Sequence, residues 1–152
     1  MATLLDELSQ LIFALDENEI EYAVCGGLAL TVYGFVRASY GFDILIRAES
    51  LEKACEIAKG CGYNISELDK LFEKSSVKIR CISKIDDDGE VLPLKFLLVN
   101  PKIEDVWETR EKLIWQDKTL WIVSRKGLIK MKELAGRAKD LIDIDRIKNE
   151  ES

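Results

Sequence analysis

At 152 residues, with 47% hydrophobic and 33% charged side chains, the chain has the length of one globular domain and the apolar content for its own core. Histidine is absent, which excludes Ser-His-Asp and Cys-His catalysis, histidine-ligated zinc and imidazole proton shuttles. The net charge of -6 argues against nonspecific nucleic-acid binding. No apolar run approaches the ~20 residues of a membrane helix, so the expectation is one domain over residues 1–152, soluble and cytoplasmic.

The elements follow from periodicity and punctuation. Thr3 and Asp6 have capping-box spacing, and Leu4, Leu5, Leu8, Leu11, Ile12 and Leu15 recur at helical intervals, predicting a first helix that ends near Asn18. Glu21 to Cys25 reads as a short buried strand that runs into Gly26-Gly27 and a short helix closing at Gly34. Phe42 to Arg47 is a second strand, apolar except for Asp43. Ser50 opens a helix that stops near Gly60, and Ser66 with Asp69 repeats the capping spacing for one short helix. Val77–Ile85 and Val91–Val99 flank Asp86-Asp87-Asp88-Gly89-Glu90 as a hairpin, with Pro93 marking a bulge or an edge. Helical spacing resumes from Ile103 to about Leu113. Ile114 to Val123 folds as a small hairpin about Asp117-Lys118, Ser124 caps a helix through Leu134, and Asp140 to Ile147 forms the last. This order gives a mixed α/β (α+β) domain with antiparallel pairs and helices mainly on one face of a mixed sheet.

Four cysteines, Cys25, Cys55, Cys61 and Cys81, form no Cys-x-x-Cys pair and read as reduced, mostly buried thiols. Charge is uneven: Arg125 to Lys139 holds six basic residues and one acid, a local net of +5. That stretch reads as a solvated helix face, a phosphate-facing surface or a contact for an acidic partner.

Asp43 carries the chemical interest. A carboxylate inside an apolar strand must be paired, hydrated or bound to a cation. Upstream, a strand entering Gly26-Gly27 at a helix start lets backbone amides approach an anion, although a tight strand-to-helix turn gives the same text. Taken together, Cys25-Gly26-Gly27, thirteen residues and then Gly41-Phe42-Asp43-Ile44 resemble the signature of the DNA polymerase beta-type nucleotidyltransferase superfamily. The run Gly26 to Leu30, Tyr33-Gly34 and Arg37-Ala38-Ser39 is similar to its small prokaryotic branch, which includes minimal nucleotidyltransferases and toxins of abortive-infection systems. The closing text through Lys132, Ala135-Gly136-Arg137, Lys139-Asp140 and Asp143 is similar to the same branch.

The resemblance implies a nucleotidyltransferase fold, a nucleoside triphosphate ligand and three carboxylates around two Mg²⁺ ions. Asp43 matches the second carboxylate and is the one metal-site acid retained. The first falls at Gly41, where Gly41→Asp would restore the paired acids, and the third aligns with Lys95. A carboxylate about 4 Å from a unit charge is worth ~4 kcal/mol at an effective dielectric of ~20, and a lysine there reverses the sign. The resemblance thus implies a degenerate Mg²⁺ site. Gly26, Gly27, Arg37, Lys95, Lys132 and Arg137 are its nucleotide- and phosphate-binding candidates.

Three readings stand. The first is a catalytically silent nucleotide-binding or protein-interaction module, which the family places in bacterial defence or toxin–antitoxin systems. The second is an active Mg²⁺-dependent enzyme moving a nucleotidyl group to an RNA or protein hydroxyl, with substitute acids among Asp86, Asp87, Asp88 and Glu90. The third is a partner-binding scaffold that uses Lys132 and Arg137 and binds no nucleotide.

Overall fold

In a computed structural model, residues 3–35, 40–71 and 76–151 are described. Helix α1 (Leu4–Glu17) opens with the expected reciprocal cap: Asp6 N–H donates to Thr3 Oγ1 at 3.1 Å and Thr3 N–H to Asp6 Oδ2 at 2.9 Å. Such a cap is worth ~1 kcal/mol. Leu8, Leu11 and Leu15 form its buried stripe. Strand β1 (Ala23–Cys25) passes without a loop into α2 (Gly26–Val32), and β2 (Phe42–Ile46) leads through a 3-10 turn into α3 (Leu51–Gly60). Two short strands follow, β3 (Ile65–Ser66) and β4 (Lys70–Leu71), then the hairpin arms β5 (Lys78–Ile85) and β6 (Val91–Leu98). Helix α4 (Glu104–Glu108), strands β7 (Glu111–Trp115) and β8 (Lys118–Ile122), and helices α5 (Arg125–Ala135) and α6 (Ala138–Glu151) complete the chain.

The strands form one sheet in the order β3-β5-β6-β2-β1-β8-β7, with β4 also on β5. It is mixed, as expected: β2 runs parallel to β6 and β1 parallel to β8, while β1/β2, β5/β6 and β7/β8 are antiparallel. The centre is buried on both faces. Ile44, Leu45 and Ile46 of β2 are fully enclosed, as are Leu94 and Phe96 of β6. Among the described residues no helix is long and apolar enough to cross a membrane.

Three expectations are corrected. The helix expected at Ser66–Asp69 is replaced by β3 and β4. Arg80 claims the Asp69 carboxylate at 2.6 Å, and the open edge of β5 takes the local backbone instead, with Glu67 N–H donating to the Cys81 carbonyl at 3.1 Å. The helix expected from Ile103 to Leu113 ends at Glu108 because Glu111 is already paired with Ile122 in the sheet. The second hairpin turns on Gln116-Asp117, one residue earlier than read, with both residues at positive φ (52° and 62°) as a two-residue turn of that hand requires. Pro93 sits opposite Ser83 on β5, just beyond the first β2–β6 pair, Phe42 and Leu94, so β6 is locally an edge there.

Candidate functional site

Strand register builds the site. Cys25 pairs with Asp43, Asp43 with Lys95, and Lys95 with Cys81, so these four residues form one row across β1, β2, β6 and β5. Directly paired residues share a face, with backbones about 4.8 Å apart between strands. Asp43 and Lys95 are therefore side by side, both half-buried. No cation lies within ion-pair distance of the Asp43 carboxylate among the described residues, and Lys95 makes no ion pair or hydrogen bond there.

A cleft of about 50 Å³ opens at the Cys25–Asp43 end of this row, bounded by Gly26, Asp43, Leu97, Lys132, Arg137 and Asp140, and Lys95 does not line it. It is far smaller than the ~300 Å³ and upward typical of ligand pockets, so it admits an ionic end group and leaves a nucleoside outside. Burial pushes the Asp43 carboxyl above its usual range, and Lys95, Arg137, Lys132 and Lys139 pull the other way without reversing it. The neighbouring Cys25 thiol is pushed well up by burial, then by the Asp43 charge, and is inert as a nucleophile.

Gly26, Gly27 and Gly41 have distinct roles. Gly26 has φ +67°, and a Cβ on it would overlap the Asp43 carboxylate, coming within 2.8 Å of its Cβ and Cγ. The space left by this glycine is thus filled by Asp43. Gly27 is the second residue of a seven-residue helix too short for an appreciable dipole. Gly41, where the resemblance expects an acid, has φ +127°, and a Cβ there would lie 2.9 Å from the Pro93 carbonyl oxygen. A side chain at 41 thus requires the β2–β6 backbone to move.

The basic closing stretch is largely consumed within the fold. Lys132, read as a solvated or ligand-facing cation, is buried, with Nζ 2.9 Å from Asp143 and 3.6 Å from Asp140. Arg137 donates its Nε to Asp140 at 2.6 Å and its backbone N–H at 3.1 Å. Burial would raise the Asp140 carboxyl, yet the Arg137 contacts, with help from Lys132, hold it below the usual range. Lys130 is tied to Asp105 at 2.8 Å, and Arg125 stacks on Tyr33 at 5.1 Å. Arg37 lies outside the described residues.

The hairpin acids stay at their tip. Asp86 accepts from the backbone N–H groups of Asp88 and Glu90, both at 2.9 Å, and from the Tyr40 hydroxyl. That tip lies beyond Val91, four residues and roughly 13 Å of strand from Lys95. Among the described residues no cluster of three or more acid, cysteine or histidine side chains is placed to hold a metal. Reading along the chain missed Pro93 as the residue that closes position 41, and Lys139 as part of the field on Asp43. The first depends on a parallel pairing between strands about fifty residues apart and the second on the packing of α6 against the sheet, and neither leaves a local signal.

This architecture recurs in solved structures. A candidate nucleotidyltransferase from Thermotoga maritima superposes with a TM-score of 0.68 at 14% identity, covering 96% of this chain and 92% of that one. The fold is that of the nucleotidyltransferases. The lincosamide antibiotic adenylyltransferase LnuA, solved with lincomycin bound, matches with a TM-score of 0.63 at 16% identity over 93% of this chain and 94% of its own. ANT(2")-Ia, in complex with adenylyl-2"-tobramycin, matches with a TM-score of 0.59 at 13% identity over 92% and 84%. Neither a protein-family model nor a curated protein sequence matches the chain. At these identities the nucleotidyltransferase fold is the shared property, and function is argued from the site.

Proposed function

We propose that this chain is a catalytically silent member of the nucleotidyltransferase fold, which binds a nucleotide through its phosphates and transfers nothing. One observation carries this reading: Asp43 faces Lys95 in register, where two-metal chemistry needs a second acid. The donor set does not suit a pair of Mg²⁺ ions. One half-buried carboxylate stands among four cations, position 41 is closed by Pro93, and the acids of the hairpin tip lie roughly 13 Å away. No reaction step through a metal is derived.

The solved neighbours support the choice of ligand, since one is described as an adenylyltransferase and another is in complex with adenylyl-2"-tobramycin. A setting in bacterial defence, including toxin–antitoxin pairs, follows from the resemblance of the Gly26–Ser39 text and would add a protein partner. The scaffold reading is less well supported, because Lys132 is buried in ion pairs and presents no charge to a partner.

The test joins binding to turnover. The protein is titrated calorimetrically with ATP, CTP, GTP and UTP, and pyrophosphate release is followed in parallel with Mg²⁺ and candidate RNA or protein acceptors. Binding without pyrophosphate release is the expected outcome. Release above the rate of an Asp43→Ala variant restores the enzyme reading, and no binding by any nucleotide leaves the scaffold.

A further inference from the structure

Two cations of the closing stretch are not consumed within the fold. Arg125 lies over the Tyr33 ring at 5.1 Å and the Phe35 ring at 5.6 Å, and it makes no hydrogen bond or ion pair among the described residues. Packing on the rings restrains the guanidinium while its N–H donors stay unspent. Lys126 is exposed and likewise has no counter-ion among the described residues. Both line a pocket of about 520 Å³ together with Tyr33, Thr109, Glu111 and Ser124. That volume lies within the ~300–1,000 Å³ of ordinary ligand sites. The pocket shares no lining residue with the Asp43 cleft. Along α2, Tyr33 stands seven residues beyond Gly26, roughly 10 Å away.

The lining sets the chemistry of a ligand. Ser124 Oγ is engaged by Gly127 N–H at 3.0 Å, so the charge on offer is that of the Arg125 and Lys126 side chains. A guanidinium fork beside an ammonium suits the oxygens of a phosphate group. Across the pocket the Tyr33 hydroxyl donates to the Val123 carbonyl at 2.9 Å, and Glu111 Oε2 lies 3.4 Å from that hydroxyl. The Glu111 carboxylate therefore keeps lone pairs for other donors, and as an acceptor it suits hydroxyl groups and repels a bare anion. We propose that this pocket binds a phosphate monoester of a polyhydroxylated molecule, a sugar phosphate or a nucleoside monophosphate. Its phosphate rests on Arg125 and Lys126, and a hydroxyl of its sugar donates to Glu111. This site is additional to the cleft and does not depend on nucleotide binding there.

The full chain is titrated calorimetrically at low ionic strength with ribose 5-phosphate, AMP, inorganic phosphate and ribose. Ribose 5-phosphate is expected to bind more tightly than inorganic phosphate, and ribose not to bind. AMP binding like ribose 5-phosphate assigns the ligand to the sugar phosphates, and AMP binding more tightly assigns it to the nucleoside monophosphates. Arg125→Met and Lys126→Glu each weaken ribose 5-phosphate at least tenfold. Glu111→Gln weakens ribose 5-phosphate yet tightens inorganic phosphate, because it removes an acceptor for the sugar and a repulsive charge for the anion. A thermal melt checks each variant, and Lys126→Glu, at an exposed position, carries the test if Arg125→Met loses the fold along with its ring contacts. Ribose 5-phosphate affinity that is unchanged in Lys126→Glu, no greater than that of inorganic phosphate, or insensitive to Glu111→Gln overturns the assignment. So does the absence of binding by all four probes.

Discussion

Lys132→Met tests whether the basic closing helices serve the fold or a ligand. The Lys132 side chain is 10% exposed, and its partners Asp143 and Asp140 are 5% and 1% exposed, with Nζ at 2.9 and 3.6 Å from them. At an effective dielectric of ~20 these distances give gross attractions of ~6 and ~5 kcal/mol, and desolvating the ions returns several kcal/mol each. Removing the cation alone takes a buried counter-charge from two buried carboxylates, a change that typically costs about 3–5 kcal/mol. A stranded carboxylate can escape by taking up a proton, which for an ordinary aspartate at pH 7 costs about 4 kcal/mol and sets a ceiling. The expected loss in urea denaturation at pH 7 is therefore about 3–4 kcal/mol. The pH dependence follows the proton. Asp140 lies below its ordinary range in the fold, so the wild type holds this stabilisation above that range and loses it as pH falls through the folded value. Without Lys132 the Asp140 carboxyl loses one of the charges that hold it down, so the gap between variant and wild type narrows as pH falls through the aspartate range. Adding Asp143→Leu to Lys132→Met restores about 2 kcal/mol or more at pH 7. A single-variant loss below about 1 kcal/mol at pH 7, or a loss independent of pH, refutes the claim that this charge is consumed internally.

Three further outcomes follow from the Asp43 row. Gly41→Asp, which completes the acid pattern on paper, loses about 1–3 kcal/mol in urea denaturation because position 41 needs a positive φ and meets the Pro93 carbonyl. Mn²⁺ titration followed by electron paramagnetic resonance shows no gain in metal affinity for that variant. Lys95→Asp places a second carboxylate on the row at an ordinary strand position and acquires Mn²⁺ binding in the same titration; equal behaviour of the two variants contradicts the geometry. Asp43→Asn raises the melting temperature at pH 7: burial disfavours the ionised Asp43 in the fold, so wild-type stability is greatest below the ordinary aspartate range and declines as pH rises through it. The two proteins converge near pH 4 and below, and a variant no more stable than the wild type at pH 7 counts against that burial cost.

The parts of the fold legible in the sequence are those fixed by neighbours in the chain. Thr3 and Asp6 meet across one helical turn, Ser124 Oγ accepts from Gly127 N–H at 3.0 Å, and the Asp-Gly hairpin closes locally. Each of these is settled by spacing and side-chain chemistry alone. The failures at residues 65–71 and 104–113 have a shared cause. In both, a helix-like local pattern lies beside a strand edge with open hydrogen-bonding groups, β5 in one case and β8 in the other, and pairing with the edge prevails. A local preference of a few tenths of a kcal/mol per residue is too weak to resist that.

The site divides along the same line. Asp43 was visible because a charge in an apolar strand demands a reason, and Gly26 because it stands where strand meets helix. The structure joins the two reasons: the glycine at 26 is what lets the Asp43 carboxylate pack down at the start of α2. Lys132 and Arg137 were visible as charges, but the burial of Lys132 and the internal partners of both were not. Four-residue spacing puts Lys132 on the same side of α5 as Leu128, and only the arrival of α6 brings Asp140 and Asp143 to meet it. Lys95 is the reverse case. Its sequence position gives it no partner, and the sheet gives it a carboxylate neighbour in register with which it still does not pair. Of the four cations near Asp43, it is the one that makes no hydrogen bond or ion pair among the described residues. An ion pair satisfied within the chain offers little net field to a ligand, so the basic cluster of α5 and α6 contributes less to anion binding than its number of charges suggests.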